Sequence, residues 1–185
     1  MEQVQEVKSE SLYANAVKHG LILGAIAILL TVVAYATSLS FMGSFKFLGL
    51  LFLIDIGYVI YAGISYRNSI GRYISYGKAF IHGFLILLTA SVVSAIFGIV
   101  LYDIIDPELG AKLAEAIILN TEDTMRSFGA PEEQIEKTLA DMRTDLPNSF
   151  TLMGRVKGFF TGLLWFAGFV AITSLFVRKN EPVEM

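Results

Sequence analysis

Four long apolar stretches run through this chain of 185 residues, each near or above the ~20 residues a helix needs to cross ~30 Å of hydrocarbon. They cover about 20–41, 45–66, 77–102 and 156–177, and only the second has a charge at its centre, Asp55. Backbone groups in lipid must be satisfied within their own segment, and the alternation of barrel strands is not seen, so these stretches predict helices. Buried helices of a water-soluble protein would show polar faces, and the first, third and fourth stretches show almost none. Composition agrees: 55% of the residues are hydrophobic and 17% charged, against roughly 45–50% and ~25% in soluble domains. The sequence predicts an all-α integral membrane protein with four transmembrane helices and an extramembrane helical hairpin between helices 3 and 4.

Several function classes are disfavoured on composition. A net charge of −3 argues against nucleic acid, which needs a basic surface. Cysteine is absent, so disulfides, thiolate metal sites and cysteine nucleophiles are excluded. His19 and His82 are the only imidazoles, and no carboxylate spacing offers to complete a zinc site. No phosphate-binding glycine loop, nucleophile elbow or metalloprotease helix is present. No cofactor, metal or catalytic residue is expected, and the chain does not read as an enzyme. The first ten residues hold Glu2, Glu6 and Glu10 against Lys8 alone, unlike the basic start of a secretory signal. The first apolar stretch is therefore expected to be a retained span.

Orientation follows from basic residues near the span ends. Lys8 and Lys18 precede span one, Arg67, Arg72 and Lys78 lie between spans two and three, and Arg178 and Lys179 follow span four. All fall on one side of a four-span protein. Lys46, Arg155 and Lys157 fall on the other. The expectation is a cytoplasmic segment at 1–18, spans one to three within 19–102, a periplasmic hairpin at 103–150, span four within 151–179 and a cytoplasmic tail at 180–185. The 103–150 segment holds eleven of the seventeen acidic residues. Asp106–Pro107–Glu108 reads as N-cap, N1 proline and acidic first turn. Leu109, Leu113, Ala116, Ile117, Asn120 and Thr124 follow at helical spacing, and Gly129 supplies a stop. Pro131–Glu132–Glu133 opens a second helix with Ile135, Leu139 and Met142 in one stripe, ended at Leu146–Pro147–Asn148–Ser149. The simplest reading is that the two stripes bury each other.

The sequence resembles one known family. Tyr66–Arg67 closes span two, and Tyr76–Gly77–Lys78–Ala79–Phe80 opens span three. Asp106–Pro107–Glu108–Leu109 and then Phe128–Gly129–Ala130–Pro131–Glu132–Glu133–Gln134–Ile135–Glu136–Lys137 precede the last span. In order and spacing these resemble the small four-span membrane proteins grouped as domain of unknown function 4199, found mainly in Bacteroidota, over roughly residues 16–179. The resemblance implies a bacterial inner-membrane location and this topology, and it brings no activity with it. Asp55 matches no family motif.

Asp55 is the one ionisable residue deep in a span. At 1.5 Å per residue it lies ~16 Å from Tyr66, and Thr31, Thr89 and Trp165 lie at nearly the same depth, ~18 Å from their own ends. Each could donate a hydrogen bond to a carboxylate. A lone carboxyl at this depth must pair or stay neutral, so these four residues form a candidate intramembrane polar site. A single carboxyl also excludes the paired-acid chemistry of an aspartyl protease. The plain alternative is an inter-helix hydrogen bond. His82 comes out at ~7 Å depth, a hydrogen-bonding group rather than a ligand. Gly154, Gly158 and Gly162 recur at four-residue spacing, as do Gly20 and Gly24 in span one and Ala90, Ser94 and Gly98 in span three. Small residues at this interval let helices approach closely, within the bundle or against a partner. The tyrosines sit where interfacial aromatic belts are expected. Two functions remain. The first is a non-enzymatic structural or accessory subunit with the bilayer and a second copy or membrane partner as its contacts. The second is a small oligomeric transporter or ion-coupled permease using Asp55, which requires a cavity reaching that carboxyl.

Overall fold

The computed structural model describes residues 10–181. Its helices are α1 (Leu12–Thr37), α2 (Leu39–Met42), α3 (Phe45–Ser69), α4 (Tyr76–Ile99), α5 (Leu109–Ser127), α6 (Glu132–Ser149) and α7 (Leu152–Val177). Helices α1, α3 and α7 are long and apolar enough to cross a membrane. So is α4 with the π-helical stretch Val100–Ile105 that prolongs it. Only 22% of each span's apolar window is buried inside the protein, so the remaining surface needs lipid rather than water around it.

Each span starts on a hydroxyl. Ser11, Ser44, Ser75 and Thr151 accept hydrogen bonds from the backbone N–H three residues on, supplying the N-terminal donors with a partner. Span one begins at Leu12, two turns earlier than its apolar pattern suggested, because that cap lies at Ser11. It ends at Thr37, short of 41, since Ser38 is extended and its hydroxyl caps the single-turn α2. Span three runs past Tyr102 to the end of the π-helical stretch at Ile105, closed by Asp106 N–H donating to Leu101 C=O at 2.9 Å.

The spans form a four-helix bundle with α4 at its centre, packed chiefly on α1 and α7. Ala16, Leu23, Val59, Ala62, Ile86, Leu87, Ala90 and Val170 make its main core. A second cluster, Tyr66, Ile74, Ala79 and Val177, fills the end nearest the N-terminus. There Ile74 and Lys179 exchange backbone hydrogen bonds of 2.9 and 3.0 Å, and Arg67 Nη1 donates to Val177 C=O at 2.8 Å. The start of α1, the α3–α4 turn and the end of α7 thus share one face of the bundle, and the hairpin lies at the other.

The hairpin is the expected pair of helices, with differences at its ends. Asp106 does not cap α5, which starts at Leu109 on Glu108. Its carboxylate is instead engaged by Lys112 Nζ at 3.2 Å and by the Tyr35 hydroxyl at 3.3 Å, tying the hairpin to α1. The α5 face buried with Leu109 and Leu113 continues through Ala114, Ile118 and Thr121 rather than through Ala116, Ile117, Asn120 and Thr124. The expected stripe is divided because α5 has two neighbours. Ile118 meets Ile135 and Leu139 of α6, while Ile117 covers Gly43 and Asn120 Nδ2 donates to Ser40 C=O at 2.8 Å. Gly129, at φ +72°, ends α5 in a Schellman turn with Ala130 N–H donating to Met125 C=O. α6 ends at Ser149, within the expected stop at Leu146–Pro147–Asn148–Ser149, though not at Pro147 itself. Pro147 sits inside the last turn, and the Asn148 and Ser149 side chains donate to Thr144 and Asp145 carbonyls.

Candidate functional site

The core lies in the half of the bundle nearest the N-terminus, and in the hairpin half the spans part. A cavity of about 650 Å³ opens there, with walls from α1 (Ala27, Thr31), α3 (Leu51, Asp55), α4 (Leu87, Ser91, Ser94) and α7 (Arg155, Phe159, Phe160, Phe166). Val92, Ile96 and Ile99 also line it, and all three are exposed, so the cavity opens sideways into the hydrocarbon. Its volume falls within the ~300–1,000 Å³ usual for small-molecule sites. Its walls are mainly apolar, with a few hydroxyls, one carboxyl and one guanidinium.

The two charged groups differ in kind. Arg155 donates to the Asp103 carboxylate and lies over the Tyr102 ring, 5.2 Å from its centroid, so its charge is already matched. Tyr102 and Asp103 both lie in the π-helical stretch and meet Arg155 of α7. Asp55 has no such partner. No side chain among the described residues hydrogen-bonds its carboxyl, which lines both the large cavity and an adjoining one of about 20 Å³ under Phe166 and Phe169, room for a single water. The expected inter-helix hydrogen bond is not formed.

Of the four residues matched by depth, Thr31 alone joins Asp55 at the cavity, and its hydroxyl donates to Ala27 C=O at 2.8 Å. Thr89 turns the other way, onto Gly20 of α1. Trp165 is 69% exposed on the lipid-facing side of α7. Thr31 lies about three turns past Gly20, the α1 residue that Thr89 meets, because α1 starts at Leu12 and not near Gly20. For Thr89 and Trp165, rotation about the helix axis decides which side chains meet. The three glycines of α7 divide as well. Gly154 is no span-packing position: a side chain there would strike the Asn148 carbonyl and Ser149, so it serves the tight α6–α7 turn. Gly158 and Gly162 have open space, nothing lying within 4 Å of an added Cβ. Close approach inside the bundle instead uses Gly20 and Gly24 against α4, Gly63 against Val177, and Gly83 against Val59 and Val170.

The family is decided by a match outside the structure. The chain matches the model of the family described as "Protein of unknown function (DUF4199)" over residues 18–179. It belongs to that family. No curated protein and no solved structure matches it. The match covers α1 from Lys18 onward, α3, α4, the hairpin and α7, with Asp55 and Arg155, so the cavity lies wholly within the matched part.

Sequence reasoning missed Arg155 as a cavity residue, since it had been counted only for orientation. The signal was Asp103 and Arg155 facing each other across the hairpin's two ends. His82 is the hydrogen-bonding group that was expected, but the polar ladder it belongs to, in the other half of the bundle, was missed. His82, completely buried, pairs through Nε2 with Asn15 Oδ1 at 2.9 Å and stacks on Tyr66. His19 Nδ1 and the Tyr58 hydroxyl lie 3.0 Å apart. The four-residue interval between Asn15 and His19 was the available clue.

Proposed function

We propose that this protein is a non-enzymatic, ion-coupled permease of the bacterial inner membrane that takes an apolar cation into the cavity, with its N-terminal face toward the cytoplasm. The observation that carries the proposal is Asp55, an unbonded carboxyl at mid-membrane depth on the wall of an apolar cavity. Such a group is neutral or faces a cation. Because Arg155 is matched by Asp103, the charge left to choose a ligand is that of Asp55. The lateral opening supports access from the hydrocarbon, and the basic residues of the N-terminal face support its cytoplasmic placement.

The test compares two probes of the same shape and opposite charge, tetraphenylphosphonium and tetraphenylborate, by equilibrium binding to the full-length protein in lipid nanodiscs. Preference for the cation by about tenfold is expected, and Asp55→Asn should abolish it. Equal affinity in both proteins would remove the basis of the proposal.

A second reading, an accessory subunit or homo-oligomer in which α7 receives another transmembrane helix, is supported by the open space over Gly158 and Gly162. Small residues at this spacing admit close helix contact. Gly158→Leu with Gly162→Leu should then abolish cross-linking between copies, or to a membrane partner, and leave the folded monomer intact. A wild-type protein that stays monomeric in bilayers and brings no partner with it would count against this reading.

A further inference from the structure

On the hairpin face a second groove, of about 630 Å³, runs between α5 and the corner where α2 turns into α3. It shares no residue with the cavity that holds Asp55. Its α5 wall is one helix face, Asn120, Asp123, Thr124 and Ser127, at the intervals of three and four that bring side chains into line. Asn120 fixes that face against α2 through its bond to the Ser40 carbonyl. The Thr124 hydroxyl donates to Asn120 C=O at 2.6 Å, and the Ser127 hydroxyl to Thr124 C=O at 2.7 Å. With their hydrogens given to the backbone, both oxygens are left as acceptors. Asp123 adds a carboxylate, so this wall accepts hydrogen bonds and carries one negative charge.

The other wall carries one positive charge. Lys46 stands there in the first turn of α3, with the rings of Phe41 and Phe45, 40% and 60% exposed. Elsewhere on this side of the molecule opposite charges meet: Lys112 with Asp106 and Glu108, Arg126 with Glu122 and Glu132, Arg155 with Asp103. Lys46 and Asp123 line one groove, and neither forms an ion pair among the described residues. A groove that keeps one cation and one anion apart complements a ligand that carries the reverse pair.

Position narrows the ligand further. Ser44 caps the membrane helix α3, so Phe45 and Lys46 stand at the boundary of the hydrocarbon, while Asp123 belongs to the hairpin outside it. A zwitterionic phospholipid presents its charges in the same order, with phosphate next to the glycerol and ammonium beyond it. We propose that this groove binds the headgroup of a phosphatidylethanolamine molecule from the hairpin-side leaflet. Its phosphate meets Lys46, its ammonium meets Asp123, Thr124 and Ser127, and its glycerol end lies against Phe45. The three acceptor groups match the three N–H donors of a primary ammonium. A choline headgroup has no N–H to give them and is held by aromatic faces, which here stand on the Lys46 side. A phosphatidylglycerol headgroup brings no cation, which leaves Asp123 facing a lipid of its own sign. The site does not rest on the permease reading or on Asp55.

The experiment uses full-length protein in nanodiscs of phosphatidylcholine with equal amounts of phosphatidylethanolamine and phosphatidylglycerol, and native mass spectrometry counts the lipids each protein retains. Phosphatidylethanolamine should be retained over both others by about tenfold, and Asp123→Asn or Lys46→Gln should remove that preference. Retention should also fall stepwise through the N-methyl and N,N-dimethyl lipids, which lose one N–H donor at a time. Equal retention of the three lipids, or an unchanged preference in Asp123→Asn, overturns the proposal. Both side chains are exposed, so the variants should fold, and far-UV circular dichroism checks this. Glu136→Gln removes an equally exposed carboxylate from α6 and should keep the wild-type preference; the same loss as in Asp123→Asn would assign the effect to overall charge and overturn the site. Glycerophosphoethanolamine, the headgroup without its acyl chains, should leave the retained lipid in place. Its displacing the lipid at equal concentration would make the ligand a soluble zwitterion and overturn the assignment to a membrane lipid.

Discussion

Replacing Gly20 by alanine should loosen the bundle, while the same change at Gly158 should not. A Cβ at Gly20 would lie 2.5 Å from Thr89 Cβ and 2.8 Å from the Ile86 carbonyl oxygen. The first distance is about 1 Å shorter than carbon atoms tolerate at rest. Neither neighbour can rotate away, since a Cβ and a carbonyl oxygen are fixed by the α4 backbone. The remaining relief is separation of α1 from α4 by a sizeable fraction of an ångström. A gap of 0.5–1 Å forfeits roughly a quarter to a half of each dispersion contact it opens, here those of Ala16, Leu23, Ile86 and Ala90 in the main core. Overpacking of this kind costs typically ~1–3 kcal/mol, a factor of about 5 to 150 in the unfolding equilibrium. At Gly158 nothing lies within 4 Å, and alanine's better helix propensity predicts no loss and a gain of up to ~1 kcal/mol. Reversible unfolding in mixed micelles, followed by far-UV circular dichroism, measures both. A Gly20→Ala protein as stable as wild type, or a Gly158→Ala protein losing as much as Gly20→Ala, would refute the assignment of the close seam to α1 and α4.

Further outcomes follow from the hairpin. Ile135, 1% exposed between α5 and α6, should cost ~2–5 kcal/mol on replacement by alanine. Hydrogen exchange should then quicken across α5 and α6, with the four spans still protected. Hydrogen bonds to Asp106 and then to Glu108 raise the Lys112 ammonium above its ordinary value of 10.5. A raised folded value means that the stabilisation is fully present below about pH 10.5 and is lost as pH climbs through the folded value. Lys112→Gln should therefore flatten the alkaline fall in hairpin stability, read by thermal melting at several pH values. An alkaline fall of the same size in both proteins would assign it to other groups.

What could be read in advance divides along a physical line. The four spans, the hairpin and the stop at Gly129 were legible because hydropathy, length and turn chemistry are properties of short segments. The depth of Asp55 was legible too, since a helix advances by a constant rise. Its surroundings were not. The spans are apolar on every side, so no stripe announces which face turns inward. Thr89 and Trp165 share the depth of Asp55 and point elsewhere for that reason. The amphipathic α6, by contrast, showed its Ile135–Leu139 stripe plainly. In α5 the stripe was confused because two neighbours each claim part of it.

The tight α6–α7 turn at Gly154 has a mechanical meaning. The bundle is pinned at its N-terminal end by the Ile74–Lys179 bridge and the Arg67–Val177 bond, and it is open at the other, as a clothes-peg is. Narrowing the gap takes a swing of the first half of α7. With the Asn148 carbonyl pressed against Gly154, that half has no slack relative to α6. The hairpin therefore moves with α7 as the arm of the peg, and its ties to Tyr35 and Ser40 resist the swing like a spring. A load placed on the hairpin from outside the membrane is thus felt at the mouth of the cavity.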